Sequence, residues 1–243
     1  YGGKGQYYNS IDLSFNGLLG TGYLDYLASR SYSKMFTFHP DSAFCTTDKF
    51  NCFEKGGIGN SAAFARAEAG MTAEKWYPKA DYMIVEQKAE PFNMYDGKAF
   101  HSGSLNVSPK GLIGNGSTKS EEMIVSAEKT KFNPDNYTSD TARFVLNALD
   151  GNSVAFKADN VKAKVSFKTR TGEFTSNNGV SKTELPFLQY ECFVDKFEWN
   201  MDSKLLALLD TQSPKVGDFA SKSLATLVDL EQPGARFTSV HPN

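Results

Sequence analysis

The sequence predicts an all-β protein: tandem repeats of short strands and tight turns, in the manner of a β-solenoid or an open jelly-roll or β-taco. Three observations lead there. A stretch of some twenty residues recurs at an offset of 94, apolar residues alternate with polar ones through the recurring stretch, and 13% of the 243 residues are aromatic, with 19 Phe and 11 Tyr. Flat rings pack well on a pleated, half-buried surface, so this composition favours strands.

The repeat is read directly. Tyr1, Gly3, Lys4, Ser10, Gly17, Leu18, Gly20 and Gly22 recur without a gap as Tyr95, Gly97, Lys98, Ser104, Gly111, Leu112, Gly114 and Gly116. Ile11, Leu13 and Leu19 become Leu105, Val107 and Ile113, which keeps the apolar phase. Further on, Phe38, Pro40, Asp41 and Phe50 return as Phe132, Pro134, Asp135 and Phe144. Asn60 to Phe64 matches Asn152 to Phe156 after a slip of two residues, and His241-Pro242-Asn243 echoes His39-Pro40-Asp41. A fixed internal period marks a repeat architecture. It divides the chain into a first unit at 1–94, a second at 95–200 and the start of a third at 201–243, a part of a longer polypeptide.

Within a unit, alternate apolar residues place one face of a strand on a core. Gly17, Gly20 and Gly22 are expected to make tight turns, because glycine adopts positive φ at little cost. Pro40-Asp41 and Pro134-Asp135 end strands, since proline cannot donate to a ladder. Val161 to Phe167 and Phe193 to Met201 alternate cleanly, with Asp195 interrupting the apolar phase of the latter, and Arg170 to Glu173 is expected as a turn. Ser61 to Glu74 is alanine-rich and would be helical by propensity. Its strand-like copy, Ser153 to Val165, argues for a strand instead. Leu205 to Leu209 is open to either state.

Charge and hydropathy exclude some classes. There are 26 Lys and Arg against 28 Asp and Glu, giving a net charge of −2, and no basic stripe of the kind a nucleic acid requires. No window approaches the roughly 18 uninterrupted apolar residues of a membrane helix. The candidate strands are short and charged on both phases, unlike those of an outer-membrane barrel.

Catalytic, cofactor-binding and metal sites are expected to be absent. His39, His101 and His241 have no partners at matching spacing, and Cys45, Cys52 and Cys192 lack a ligand-spaced cluster. Cys45 and Cys52 are read as buried thiols or one structural disulfide. Gly56-Gly57-Ile58-Gly59 lacks the Lys-Ser/Thr of a phosphate loop and reads as a turn. Glu121-Glu122, or Glu191 with Asp195, are the acid pairs from which a glycosidase would be built, and both read as solvated strand charges. Tyr7-Tyr8, Tyr23, Tyr26, Trp76-Tyr77 and Trp199 are candidates for stacking on sugars or anchoring a protein interface, with core packing as the alternative. Asn106, Asn115 and Asn136 each open an N-glycosylation triplet.

Trp76-Tyr77-Pro78, Glu90 to Tyr95, Gly103 to Leu112, Ala155 to Ala163 and Gly172 to Asn177 together resemble very large exported proteins of Bacteroidota, over most of the chain from Trp76 to Met201. Asp41-Ser42-Ala43 and Asp140-Thr141-Ala142 match the short motif at which such bacteria O-glycosylate exported proteins. Among that group the chain is similar in character to the periplasmic plug of the type 9 secretion translocon. The resemblance implies a non-enzymatic protein at the inner face of the outer membrane, not itself membrane-spanning, with the translocon barrel as partner. The Ala158 to Phe167 region also resembles lipid-carrying β-taco modules, which need a continuous apolar groove. An adhesin or carbohydrate-binding repeat would instead need aromatics aligned on an exposed face.

Overall fold

The computed structural model describes residues 3–15, 17–59, 61–149, 153–179, 181–186, 190–209 and 225–227. Among these, every regular element is a strand except the 3-10 turn at Tyr95–Gly97 and a 3-10 residue at Pro186. The all-β class holds. The alanine-rich stretch gives β-structure, and so does Leu205–Leu209. His241 and most of the segment 201–243 lie outside the described residues.

The chain forms two compact units. Unit 1 comprises Tyr1–Thr118 and Glu128–Asp135; unit 2 comprises Lys119–Ala127 and Asn136–Asn243. The sequence period and the compact units thus divide the chain at different places, because the first strand of the second copy packs with the first copy.

Unit 1 contains β1 (Gln6–Tyr8), β2 (Asp12–Ser14), β3 (Gly17–Tyr26), β4 (Ser29–Phe38), β5 (Ala43–Thr47), β6 (Lys49–Cys52), β7 (Ala67–Ala69), β8 (Thr72–Tyr77), β9 (Tyr82–Gln87), β10 (Phe92–Met94) and β11 (Ala99–Ser108). β12 (Gly111–Ser120) and β13 (Met123–Phe132) have residues in both units. Unit 2 continues with β14 (Asn136–Asn147), β15 (Val154–Ser166), β16 (Thr171–Ser176), β17 (Ser181–Leu185), β18 (Tyr190–Val194), β19 (Lys196–Asn200), β20 (Leu205–Leu209) and β21 (Ala225–Leu227).

Unit 1 is an antiparallel meander. β1 and β2 pair with β3, β3 with β4, and β4 with both β5 and β6. β5 and β6 then pair with β8 and β7, which pair with β9 and β10, and both of these pair with β11. In unit 2, β14 pairs with β15, β15 with β16 and β17, these with β19 and β18, and β19 with β20. One long strand in unit 2 therefore does the work of two half-strands in unit 1: β14 corresponds to β5 and β6, and β15 to β7 and β8.

The repeat is present in the backbone. β3 and β4 begin and end at the residues that correspond to the ends of β12 and β13. Leu27 and Glu121, at the two-residue turns of these hairpins, have φ of 54° and 55°. Further along the offset falls from 94 to 89, because Asn51 pairs with Glu68 where Val145 pairs with Lys157. The first copy carries extra residues between β6 and β7, so Ala67, not Phe64, stands where Phe156 does. After that change β8 and β9 coincide with the second half of β15 and with β16, down to the Tyr77–Tyr82 and Ser166–Thr171 pairs that close the two hairpins.

Two sequence readings are corrected in detail. Thr171 to Glu173 belong to β16, and the turn is Phe167 to Arg170. Its last residue, Arg170, takes φ 53°, as Asp81 and Lys204 do (60° and 55°) at the ends of two other four-residue loops, 78–81 and 201–204. The second correction concerns Gly20 and Gly22, which lie inside β3 and not in a turn. Gly22 sits at a bulge where β3 meets the chain between β1 and β2, and a Cβ there would stand 2.2 Å from the Tyr8 carbonyl oxygen. Gly116 repeats this, with a Cβ 2.0 Å from the Ser102 carbonyl oxygen. These glycines are required by close approach of two backbones.

Candidate functional site

The recurring strands build one internal device twice. In the second copy the His101 ring packs edge-on to Phe132 at 5.2 Å, over Gly114, whose added Cβ would strike both rings. In the first copy Tyr7 packs edge-on to Phe38 at 4.9 Å, over Gly20, with the same consequence. His101 Nε2 lies 3.3 Å from the Ser104 carbonyl, and the Tyr7 hydroxyl donates to the equivalent Ser10 carbonyl, also at 3.3 Å. Nε2 faces an oxygen that can only accept, so it carries the proton. Nδ1 then accepts from the Thr118 hydroxyl at 3.0 Å. Burial drives the His101 pKa down to about 4, opposed by hydrogen bonds to backbone carbonyls. His101 is thus a neutral core residue, and His39 lies exposed against Phe44.

The surface of unit 1 is different. Register places Tyr8 of β1 opposite Tyr23 of β3, and Tyr23 opposite Tyr32 of β4. The Tyr23 and Tyr32 rings lie 4.9 Å apart. Tyr8 and Tyr23 are 41% and 48% exposed. The Arg30 guanidinium lies 5.9 Å and 6.0 Å from the Tyr8 and Tyr23 ring centres, within cation–π range. Asp25, opposite Arg30 in the ladder, fixes it with two hydrogen bonds of 2.6 and 2.7 Å. Those bonds hold the Asp25 carboxyl below its ordinary range. The result is a row of three tyrosines with an oriented cation, facing outward.

At the equivalent positions of the second copy stand Ser102, Ser117 and Ser126. The strand frame therefore does not need aromatic rings here. A second surface group behaves alike: Phe44 lies 6.0 Å from Tyr77, which lies 5.0 Å from Tyr82. Their counterparts are Thr138, Ser166 and Thr171. The aromatics singled out from sequence thus fall into two sets. Tyr26, Trp76 and Trp199 are buried, while Tyr8, Tyr23 and Tyr77 face outward or lie half-buried. Tyr32 and Arg30 escape a reading of single residues. Aligning the copies reveals them, since an aromatic position that its repeat fills with serine is not a packing requirement.

The acid pairs are occupied elsewhere. Glu121 accepts from Arg170 at 2.6 Å and from Lys204, and Lys204 reaches Glu122 at 2.7 Å. Partial burial opposes ionisation of Glu121, but the hydrogen bonds from Lys204 and Arg170 prevail and lower its pKa. Glu191 pairs with Lys182 at 2.7 Å on the surface, whereas Asp195 is buried. Cys45, Cys52 and Cys192 are free thiols, and burial pushes each pKa upward. Gly56 to Gly59 form an exposed loop between β6 and β7. Among the described residues, no three His, Cys, Asp or Glu side chains converge as metal ligands would, and no helix is long and apolar enough to cross a membrane. Of the O-glycosylation triplets, Thr141 is exposed and Ser42 is buried. Asn106, Asn115 and Asn136 all lie in strands.

A carboxyl group is buried in unit 1 as well. Glu74 on β8 is 2% exposed and accepts from the Ser31 hydroxyl at 2.6 Å, while its other oxygen has no hydrogen-bond partner. Burial pushes its pKa up to about 8, with the Ser31 bond acting in the opposite direction. Comparison with protein-family models, curated proteins and solved structures finds no match for this chain.

Proposed function

We propose that this chain is a non-enzymatic β-repeat module that works by surface binding, and that its role is the one its resemblance implies: obstruction of the periplasmic mouth of a type 9 secretion translocon. The observation that carries the binding reading is the outward Tyr8–Tyr23–Tyr32 row with Arg30, which the second copy replaces with three serines. Tyrosine and arginine supply much of the energy at protein interfaces: both are large and amphipathic, the tyrosine ring loses little entropy, and the planar guanidinium makes several directed hydrogen bonds. Interiors filled by side chains such as Trp199, Phe174 and Tyr26 support a blocking body more than a lipid carrier.

The same row favours a second reading, glycan recognition, since stacked rings beside a cation also suit a sugar face. Pull-down of the full-length protein from its own outer membrane separates the two. Recovery of a large translocation barrel, lost when Tyr8, Tyr23 and Tyr32 are all changed to Ser, supports obstruction. Binding to envelope glycans alone, lost in the same variant, supports the second reading. Binding that survives the triple change overturns the assignment to this surface.

A further inference from the structure

One strand position recurs three times in the chain, and among the described residues it is covered only twice. In unit 1, β11 presents Leu105 and Val107, both fully buried, and β9 pairs along it with Val85 opposite Leu105 and Met83 opposite Val107. In unit 2, β19 presents Phe197 and Trp199, at most 1% exposed, and β16 pairs along it with Phe174 opposite Phe197 and Gly172 opposite Trp199. The corresponding residues at the first occurrence are Ile11 and Leu13, which are 46% and 84% exposed. There β2 pairs with β3 alone among the described residues. Leu18, whose counterpart Leu112 is fully buried, is 44% exposed beside them, and the three line an open groove with Phe38 and Trp76.

We propose that the edge at Ile11–Leu13 is an acceptor for one antiparallel strand of the β9 type, supplied by another repeat unit. The two filled occurrences define the donor. It is extended, it runs antiparallel to β2, and it places small or apolar side chains at alternate positions opposite Ile11 and Leu13. The strand on a filled edge contributes two things at once: backbone hydrogen bonds along the ladder and a cover for the apolar side chains. Such an edge joins one β-repeat to another by continuing the meander, independently of the tyrosine row.

The chain supplies its own probe. Tyr1 stands where Tyr95 does in the repeat, so a copy of Gly70–Met94 placed directly before Tyr1 recreates the junction between β10 and the 3-10 turn. In this extended chain, amide hydrogen exchange across residues 10–14 is expected to slow at least tenfold, and binding of a hydrophobic dye is expected to fall. Changing the residues equivalent to Met83 and Val85 to Asp in the added copy is expected to restore the original exchange. Leu13→Lys in the acceptor does the same, and because this side chain is exposed the unextended variant remains folded. Unchanged exchange in the extended chain overturns the proposal. So does protection of residues 10–14 in the unextended chain that rises with protein concentration together with dimer formation, which would assign the edge to a second copy.

Discussion

One strand frame carries two kinds of interior. In unit 1 the β4 side chains Ser29, Ser31 and Ser33 point inward, and Thr47, Thr72 and Glu74 are buried near them along β5 and β8. In unit 2 the counterparts of Ser29, Ser31, Ser33, Thr72 and Glu74 are the apolar Met123, Val125, Ala127, Val161 and Ala163, and elsewhere in its interior, where unit 1 has Phe50, Ala67, Val85 and Leu105, four phenylalanines cluster. Phe144 lies 4.3 Å from Phe174 and 5.1 Å from Phe197, Phe156 lies 5.0 Å from Phe197, and the Phe174 and Phe197 rings stack at 4.9 Å. Yet β3 and β4 match β12 and β13 in length, and the hairpin turns and registers agree where the copies align. The frame is thus specified by alternation and by backbone constraints at a few positions, while the identity of the core sets stability and its dependence on pH.

The sharpest way to break this comparison is to open the aromatic core. Phe197 touches three rings, so Phe197→Ala removes a large buried group and leaves a cavity, at a cost of about 3–5 kcal/mol. The equivalent change in unit 1, Leu105→Ala, removes less and is expected to cost about 2–4 kcal/mol. Urea denaturation of the two variants checks the order. Equal losses would mean that the phenylalanine cluster is no better packed than its aliphatic counterpart.

The polar interior is expected to respond to pH in a way the aromatic one does not. Glu74 has a folded pKa near 8, above its unfolded value. Between about pH 4.5 and 8 the folded state therefore holds a proton that the unfolded state has released. Stability from this group is fully present below the unfolded pKa and is lost as pH rises through 8, by a few kcal/mol in all. Glu74→Gln keeps the Ser31 hydrogen bond and removes the titration. Its stability is expected to be nearly flat over this range, and the difference from the parent is read from denaturation curves at pH 5 and 8.

Much of the frame was legible in the sequence, because its causes are local. Alternation at Val161 to Phe167 and the Pro40 and Pro134 turns each act within a few residues. The αL residues that close three of the four-residue loops were not legible, since Asp81, Arg170 and Lys204 carry no glycine signature. The roles of Gly20 and Gly22 were misread for a related reason: what requires them is a neighbouring strand, not the turn beside them in sequence. The tyrosine row was half visible. Tyr8 and Tyr23 stood out as aromatics, but Tyr32 and Arg30 join them only through the registers of β1, β3 and β4.

The smallest expected effect exchanges parts between the copies. His101 and Tyr7 occupy one site, so His101→Tyr with Thr118→Leu, the residue found at the matching position 24, transplants the first copy's device into the second. At neutral pH the exchange is expected to change stability by about 1 kcal/mol or less, as a substitution matched in shape by its surroundings does. Acid reveals more. Because the folded His101 pKa is near 4, the unfolded chain binds a proton first as pH falls from about 6.5, and the parent loses stability through that window. The exchanged chain has no imidazole there and should lose less between pH 6.5 and 4. The other two histidines, His39 and His241, remain in both chains, so subtracting the two stability profiles isolates the buried ring. A flat difference would mean that His101 is charged within the fold, and that the Tyr7 and His101 sites are alike in shape but not in chemistry.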